Sequence, residues 1–156
     1  MNYKSITSPT ECRAIVATAD ITGFSRASQS KSNREVFDLL TEFYGIVGRI
    51  VDESGGKVVK FMGDAPLMVF PEGRAKQAVA ALRSLTEKSS ACVSRFGSAC
   101  RLRVKAHIGS VVCGPLGTAT EKPFDIIGSP LIDLFRMPSG DFVISPELQK
   151  LLNKGS

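Results

Sequence analysis

The sequence has no run of lysine and arginine, no CxxC pair, one histidine and no apolar stretch long enough to cross a bilayer. Each absence closes a class of function. Without clustered basic residues there is no electrostatic footprint for nucleic acid. Without CxxC spacing, Cys12, Cys92, Cys100 and Cys113 form neither a zinc knuckle nor a thioredoxin-like motif, and they read as reduced thiols of a cytoplasmic protein. The single His107 lies in a strand-like pattern, VKAHIGS, and reads as a structural residue rather than part of a metal cluster or triad. The first residues, MNYKSITSPTECR, lack the apolar segment of a signal peptide. No membrane span is expected either. No internal repeat is visible.

What the chain does have is the composition of one globular domain. Its 156 residues are 43% apolar and 22% charged, with a net charge of +5. Residues 1–12 read as a short polar leader and 13–156 as the domain proper. Residues 14–19 (AIVATA) read as a buried strand. The Ser-rich segment after it reads as a loop or irregular helical start. Asn33 is a candidate N-cap for a long helix carrying Leu39, Phe43, Val47 and Ile50 at spacings of three and four, stopped by Ser54-Gly55-Gly56. A hairpin follows, Lys57–Met62 and Ala65–Phe70 around a Gly63-Asp64 turn. Pro66 inside it points to an edge position or a bulge, because proline cannot donate to a ladder. Residues 74–94 read as one helix, 101–117 as two strands around Gly109, 124–127 as a short strand and 129–136 as a short helix. A final strand over 142–144 and a helix from Pro146 complete the order. The pattern is α+β: a ferredoxin-like βαββαβ core, with a mostly antiparallel central sheet and helices on one face.

Two aspartates carry the chemistry. Asp20 ends the first apolar run, ATADITGFS, and Asp64 sits at the hairpin tip, KFMGDAPL. Alone, Asp20 reads equally as a helix N-cap and Asp64 as turn chemistry. Brought together, two carboxylates repel unless one is protonated or a cation sits between them. Such a pair suits a hard divalent ion and a phosphate. The small residues Thr22-Gly23-Phe24 allow close backbone approach to an anion.

ADITGFS, KFMGDA, HIGSVVCGPLG and FDIIG, with an arginine eight residues after the last glycine, together resemble the class III nucleotidyl cyclases, the adenylate and guanylate cyclase catalytic domains. The similarity covers roughly residues 13–152. It implies conversion of ATP to 3′,5′-cyclic AMP and pyrophosphate with two Mg²⁺ or Mn²⁺ ions per site. It implies Asp20, Asp64 and the carbonyl of Ile21 as metal ligands, and Thr22, Gly23 and Phe24 as the phosphate-binding turn. It assigns adenine reading to Lys60 and Asp125, where guanylate cyclases carry a glutamate at the lysine position. A lysine can donate to adenine N1 and a carboxylate can accept from the 6-amino group, whereas guanine would leave both unpaired. Arg136 matches the arginine that stabilises the α-phosphate. The resemblance also implies a head-to-tail homodimer, one chain giving the aspartates and the other Lys60, Asp125 and Arg136.

Two features depart from the family. Ile132 stands where an asparagine is usual, four residues before Arg136, and cannot hydrogen-bond the ribose or the transition state. A later hairpin lysine of the family has no match, since Lys154 falls too early. The alternative reading is therefore a degenerate homologue that binds nucleotide or protein without turnover. A diguanylate cyclase is disfavoured, because Met62-Gly63-Asp64-Ala65 lacks the acidic-aromatic pair of a GG[DE]EF-like turn.

Overall fold

The computed structural model describes residues 1–155. Along the chain the elements run β1 (Thr10–Ile21), α1 (Phe24–Gln29), α2 (Asn33–Glu53), β2 (Lys57–Met62), β3 (Ala65–Pro71), α3 (Ala75–Lys88), α4 (Ser90–Phe96), β4 (Leu102–Pro115), β5 (Phe124–Ile127), α5 (Ser129–Arg136), β6 (Phe142–Ile144) and α6 (Pro146–Lys154). The strands lie in the order β2-β3-β1-β4-β5, with β6 beside β4. Every pairing is antiparallel except β4 with β6.

The apolar run in β1 has no alternation because both of its faces are covered. Ile15, Ala17, Ala19 and Ile21 face a core built with α2, α3, α4 and α6. Ala14 and Val16 face a second, smaller core that includes Leu134 of α5. Four helices, α2, α3, α4 and α6, thus share one face, as expected, while α5 covers the other. Tyr3, within the expected leader, is 3% exposed in that second core and meets Phe124 edge-on at 6.2 Å. The strand also begins at Thr10, four residues before the apolar run, because Thr10–Arg13 pair only with β4 and need not be apolar. All four cysteines are free, and the Cys12 and Cys113 sulfurs approach to 3.6 Å. Burial, reinforced by Cys12, pushes the Cys113 thiol up to about 12.

Several expected boundaries shift for local reasons. The N-cap of α2 is Ser32, not Asn33: its Oγ accepts from the Glu35 N–H and the Glu35 carboxylate accepts from the Ser32 N–H. This reciprocal box satisfies two donors at once. The expected helix over 74–94 is two helices, interrupted at buried Ser89, and α4 carries Phe96 against Phe24 at 5.5 Å. Pro66 is on an inner strand rather than an edge. The β1–β3 ladder ends at Thr18 and Leu67, so the proline nitrogen lies beyond it, and the bulge is on β2 between Val58 and Lys60.

The two strands expected around Gly109 are one unbroken strand, β4. Gly109 does not turn the chain; it admits a helix. A Cβ there would stand 2.3 Å from Pro130 Cγ, so α5 lies on the sheet where only a glycine leaves room. The sheet curls until its outer strands meet. Lys60 Nζ lies 3.2 Å from Asp125 Oδ2, and Lys57 Nζ sits 5.3 Å from the Phe124 ring centre, both joining β2 to β5.

Candidate active site

Asp20 is the penultimate residue of β1 and pairs in register with Arg103 of β4. Its carboxylate accepts two bonds from that guanidinium, Nε to Oδ1 at 3.1 Å and Nη2 to Oδ2 at 2.7 Å. It does not cap α1, whose N-cap Gly23 has no side-chain partner.

Asp64 is brought in by the β2–β3 hairpin. Gly63 takes the left-handed backbone there, φ +65°, so Asp64 is spared it. One carboxylate oxygen, Oδ2, accepts from the Ile21 N–H at 2.9 Å. Tyr44 of α2 steadies the tip: its hydroxyl donates to the Gly63 carbonyl, and its ring stacks on Phe61 at 3.6 Å and 12°. Burial raises the Asp64 pKa, the Ile21 N–H opposes this, and the negative charge of Asp20 adds to the rise. The two carboxylates therefore lie within each other's field. Burial and Asp64 likewise raise the Tyr44 phenol.

A cavity of about 180 Å³ opens beside Asp20, lined among others by Thr18, Arg103, Lys105, Phe135 and Ser139. Thr22 is engaged with Arg101: its N–H donates to the Arg101 carbonyl and its Oγ1 accepts from the Arg101 N–H, both at 2.9 Å. Of the expected phosphate turn, Gly23 and Phe24 begin α1, whose first amides have no partner inside the helix.

The structure brings Lys60 and Asp125 together at 3.2 Å, although they are 65 positions apart. The other carboxylate oxygen of Asp125 accepts from the Ile126 N–H at 2.8 Å. Neither residue, nor Arg136, lines the cavity beside Asp20. Arg136 is exposed at the C-terminal end of α5. Ile132 is 54% exposed on the same helix. His107 is buried and hydrogen-bonds through Nδ1 to Ser145 Oγ at 2.7 Å, a structural contact joining β4 to the start of α6.

Sequence reasoning passed over Arg103, Lys105 and Tyr44. A signal for the first two existed: residues 101, 103 and 105 are all basic at alternate positions, separated by Leu102 and Val104, which puts them on one face of a strand. Tyr44 carries no such mark; only its position opposite the hairpin gives it a task.

Asp20 and Asp64 are the residues that could hold a divalent ion. Burial raises the Asp64 pKa and the nearby Asp20 charge adds to the rise, while the Asp20 carboxylate is paired with the Arg103 guanidinium. Among the described residues no group of three His, Cys, Asp or Glu side chains converges, so any further ligands would be backbone oxygen, phosphate or water.

A curled sheet that ends in paired carboxylates, with a donor–acceptor couple across its closing edge, defines a nucleotidyl cyclase fold of the class III type. The chain belongs to the adenylate and guanylate cyclase catalytic domain family, whose model matches residues 7–138. Among solved structures, the adenylyl cyclase CyaB from P. aeruginosa superposes with a TM-score of 0.85 at 21% identity, covering 94% of this chain and 83% of that one. The catalytic core of a rhodopsin-guanylyl cyclase with converted specificity, in complex with ATPαS, gives 0.82 at 23% identity, covering 96% and 86%. In sequence, an adenylate cyclase of Anabaena cylindrica is 26% identical over 124 residues, 74% of this chain and 25% of that protein. An uncharacterized protein of Mycobacterium tuberculosis is 29% identical over 135 residues, 81% of this chain and 24% of that protein. The chain spans about a quarter of the length of these curated relatives. Among the described residues no helix is long and apolar enough to cross a membrane.

Proposed function

We propose that this domain is an adenylate cyclase that converts ATP to 3′,5′-cyclic AMP and pyrophosphate. The observation that carries the reading is the Lys60–Asp125 couple, a donor and an acceptor held 3.2 Å apart. An adenine inserted between them would take the lysine on N1 and offer its 6-amino group to the carboxylate. Guanine presents an N–H and a carbonyl at those positions and would leave both groups unpaired.

Asp20, Asp64 and the Ile21 carbonyl would hold Mg²⁺ or Mn²⁺. When bound, such ions make the ribose 3′-hydroxyl more acidic and neutralise the phosphates. The chain's own groups do the rest. The first amides of α1, at Gly23 and Phe24, bind phosphate oxygens. The 3′-oxygen attacks the α-phosphorus, the bond to the pyrophosphate oxygen breaks, and the hydroxyl proton leaves to solvent. Arg136 offsets the charge that builds on the α-phosphate. Lys60, Asp125 and Arg136 do not line the cavity beside Asp20, which supports a site completed by a second copy of the chain. The exposed apolar side chains Val112, Ile127, Ile132 and Phe135 supply a surface for that copy.

Purified protein incubated with MnATP should release cyclic AMP and pyrophosphate, with little product from MnGTP, and Asp64→Ala should abolish turnover. A confirmed dimer that yields no cyclic AMP at high protein concentration would refute the catalytic reading.

Ile132 favours a second reading, a homologue that binds nucleotide without turning it over. Its aliphatic side chain has no hydrogen bond to offer where the family places an amide. ATP binding by calorimetry without pyrophosphate release would select this reading.

A further inference from the structure

Lys105 stands two residues after Arg103 on β4, and the two side chains line the same cavity. The register fixes the pattern: Thr18 faces Lys105 and Asp20 faces Arg103 across the β1–β4 ladder. Alternate residues share one face of a strand, so two cations and one carboxylate meet under the turn that follows α5.

The charges do not balance. Asp20 is taken by Arg103 through two bonds, and nearby Asp141 is taken by Arg101 at 2.9 Å. Lys105 Nζ is part-buried and donates to the Met137 carbonyl at 2.8 Å, a neutral acceptor. Among the described residues no carboxylate lies within ion-pair distance of it. A part-buried ammonium without a counter-charge is poorly compensated, and an anion entering the cavity would supply what it lacks.

We propose that Lys105 is a substrate-positioning residue that binds the polyphosphate tail of the nucleotide in the cavity between β1, β4 and the turn after α5. This rests on the cyclase reading above and adds to it a residue that the motifs did not mark. The bond to Met137 is the resting contact. The flexible stem lets the ammonium leave that carbonyl for a phosphate oxygen.

The rival explanation is that Lys105 only ties down the end of α5. Lys105→Gln separates the two, because its amide can still donate to the Met137 carbonyl but carries no charge. The probe is inorganic tripolyphosphate with Mn²⁺, titrated calorimetrically, with adenosine as the control ligand. For Lys105→Gln and Lys105→Met we expect tripolyphosphate to bind about tenfold more weakly, the worth of one charge-assisted hydrogen bond, while adenosine binds unchanged. Lys105→Arg should restore most of the affinity. Undiminished tripolyphosphate affinity in Lys105→Gln would overturn the proposal and leave Lys105 as a tether. If the wild-type protein fails to bind MnATP at all, the cyclase reading falls, and this inference with it.

Discussion

Arg103 reaches across from β4 and grips both carboxylate oxygens of Asp20, at 3.1 and 2.7 Å. An arginine thus stands where the proposed function puts a divalent ion. Arg103→Met removes the competing charge and leaves a more negative carboxylate pair. It is expected to bind Mn²⁺ several-fold more tightly than wild type when no nucleotide is present. Titration of free Mn²⁺ by electron paramagnetic resonance checks this, and weaker binding would count against Asp20 as a ligand.

The raised pKa of Asp64 has a consequence for stability. Burial is its main cause, with the Asp20 charge adding and the Ile21 N–H opposing. A carboxyl whose folded pKa exceeds its unfolded value favours the folded state while protonated. Its contribution is fully present below the unfolded value near 3.8 and is lost as pH rises through the raised folded one. Asp64→Asn keeps an acceptor for the Ile21 N–H and removes the charge. In chelator-treated buffer it is expected to melt higher than wild type at neutral pH, with the gap closing in acid. Added Mn²⁺ should raise the wild-type melting temperature and leave the variant unmoved.

Base choice should follow the hydrogen-bonding groups on β2 and β5. The double variant Lys60→Glu with Asp125→Asn presents an acceptor for the guanine N1–H and a donor for its carbonyl. Relative kcat/KM is expected to shift toward GTP by at least roughly a hundredfold. Paired assays on MnATP and MnGTP measure it, and an unchanged ratio would show that the couple does not read the base.

Restoring the amide at position 132 should raise turnover. Ile132 is more than half exposed, so Ile132→Asn leaves the core alone. Loss of one transition-state donor usually costs about 10²–10³ in rate, and its return should recover a comparable factor in kcat. No change in kcat would mean that the helix face does not meet the nucleotide.

Tyr44→Phe keeps the stack on Phe61 and deletes the hydroxyl bond to Gly63. The fold should lose less than about 1 kcal/mol, since the bond is solvent-accessible. Amide exchange at Gly63 and Asp64 should quicken, and the Mn²⁺ dependence of activity should shift to higher concentration. Unaltered exchange at the tip would separate Tyr44 from the positioning of Asp64.

The parts of the fold legible in the sequence are those set by local pattern. The unbroken apolar run of β1 and the three-four spacing of α2 announced their own burial. The motifs around Asp20, Asp64, Lys60 and Asp125 also carry the resemblance to the family whose model matches residues 7–138. What stayed hidden depends on partners distant in the chain. Gly109 looked like a turn because the proline that explains it lies twenty-one positions later, at Pro130. The cap falls on Ser32 rather than Asn33 because of its reciprocal bond with Glu35, which only the folded turn displays. Arg103 carried no motif, and its task is set only by the β1–β4 register that puts it opposite Asp20.

The contact between Gly109 and Pro130 gives the domain a mechanical tolerance. A methyl at 109 would act as a shim under the first turn of α5. That helix is about 12 Å long at its usual rise and carries Arg136 at its far end, so lifting one end would swing the other like a lever. The reach of the guanidinium is thus gauged at the opposite end of the helix, by a strand position bare of a side chain.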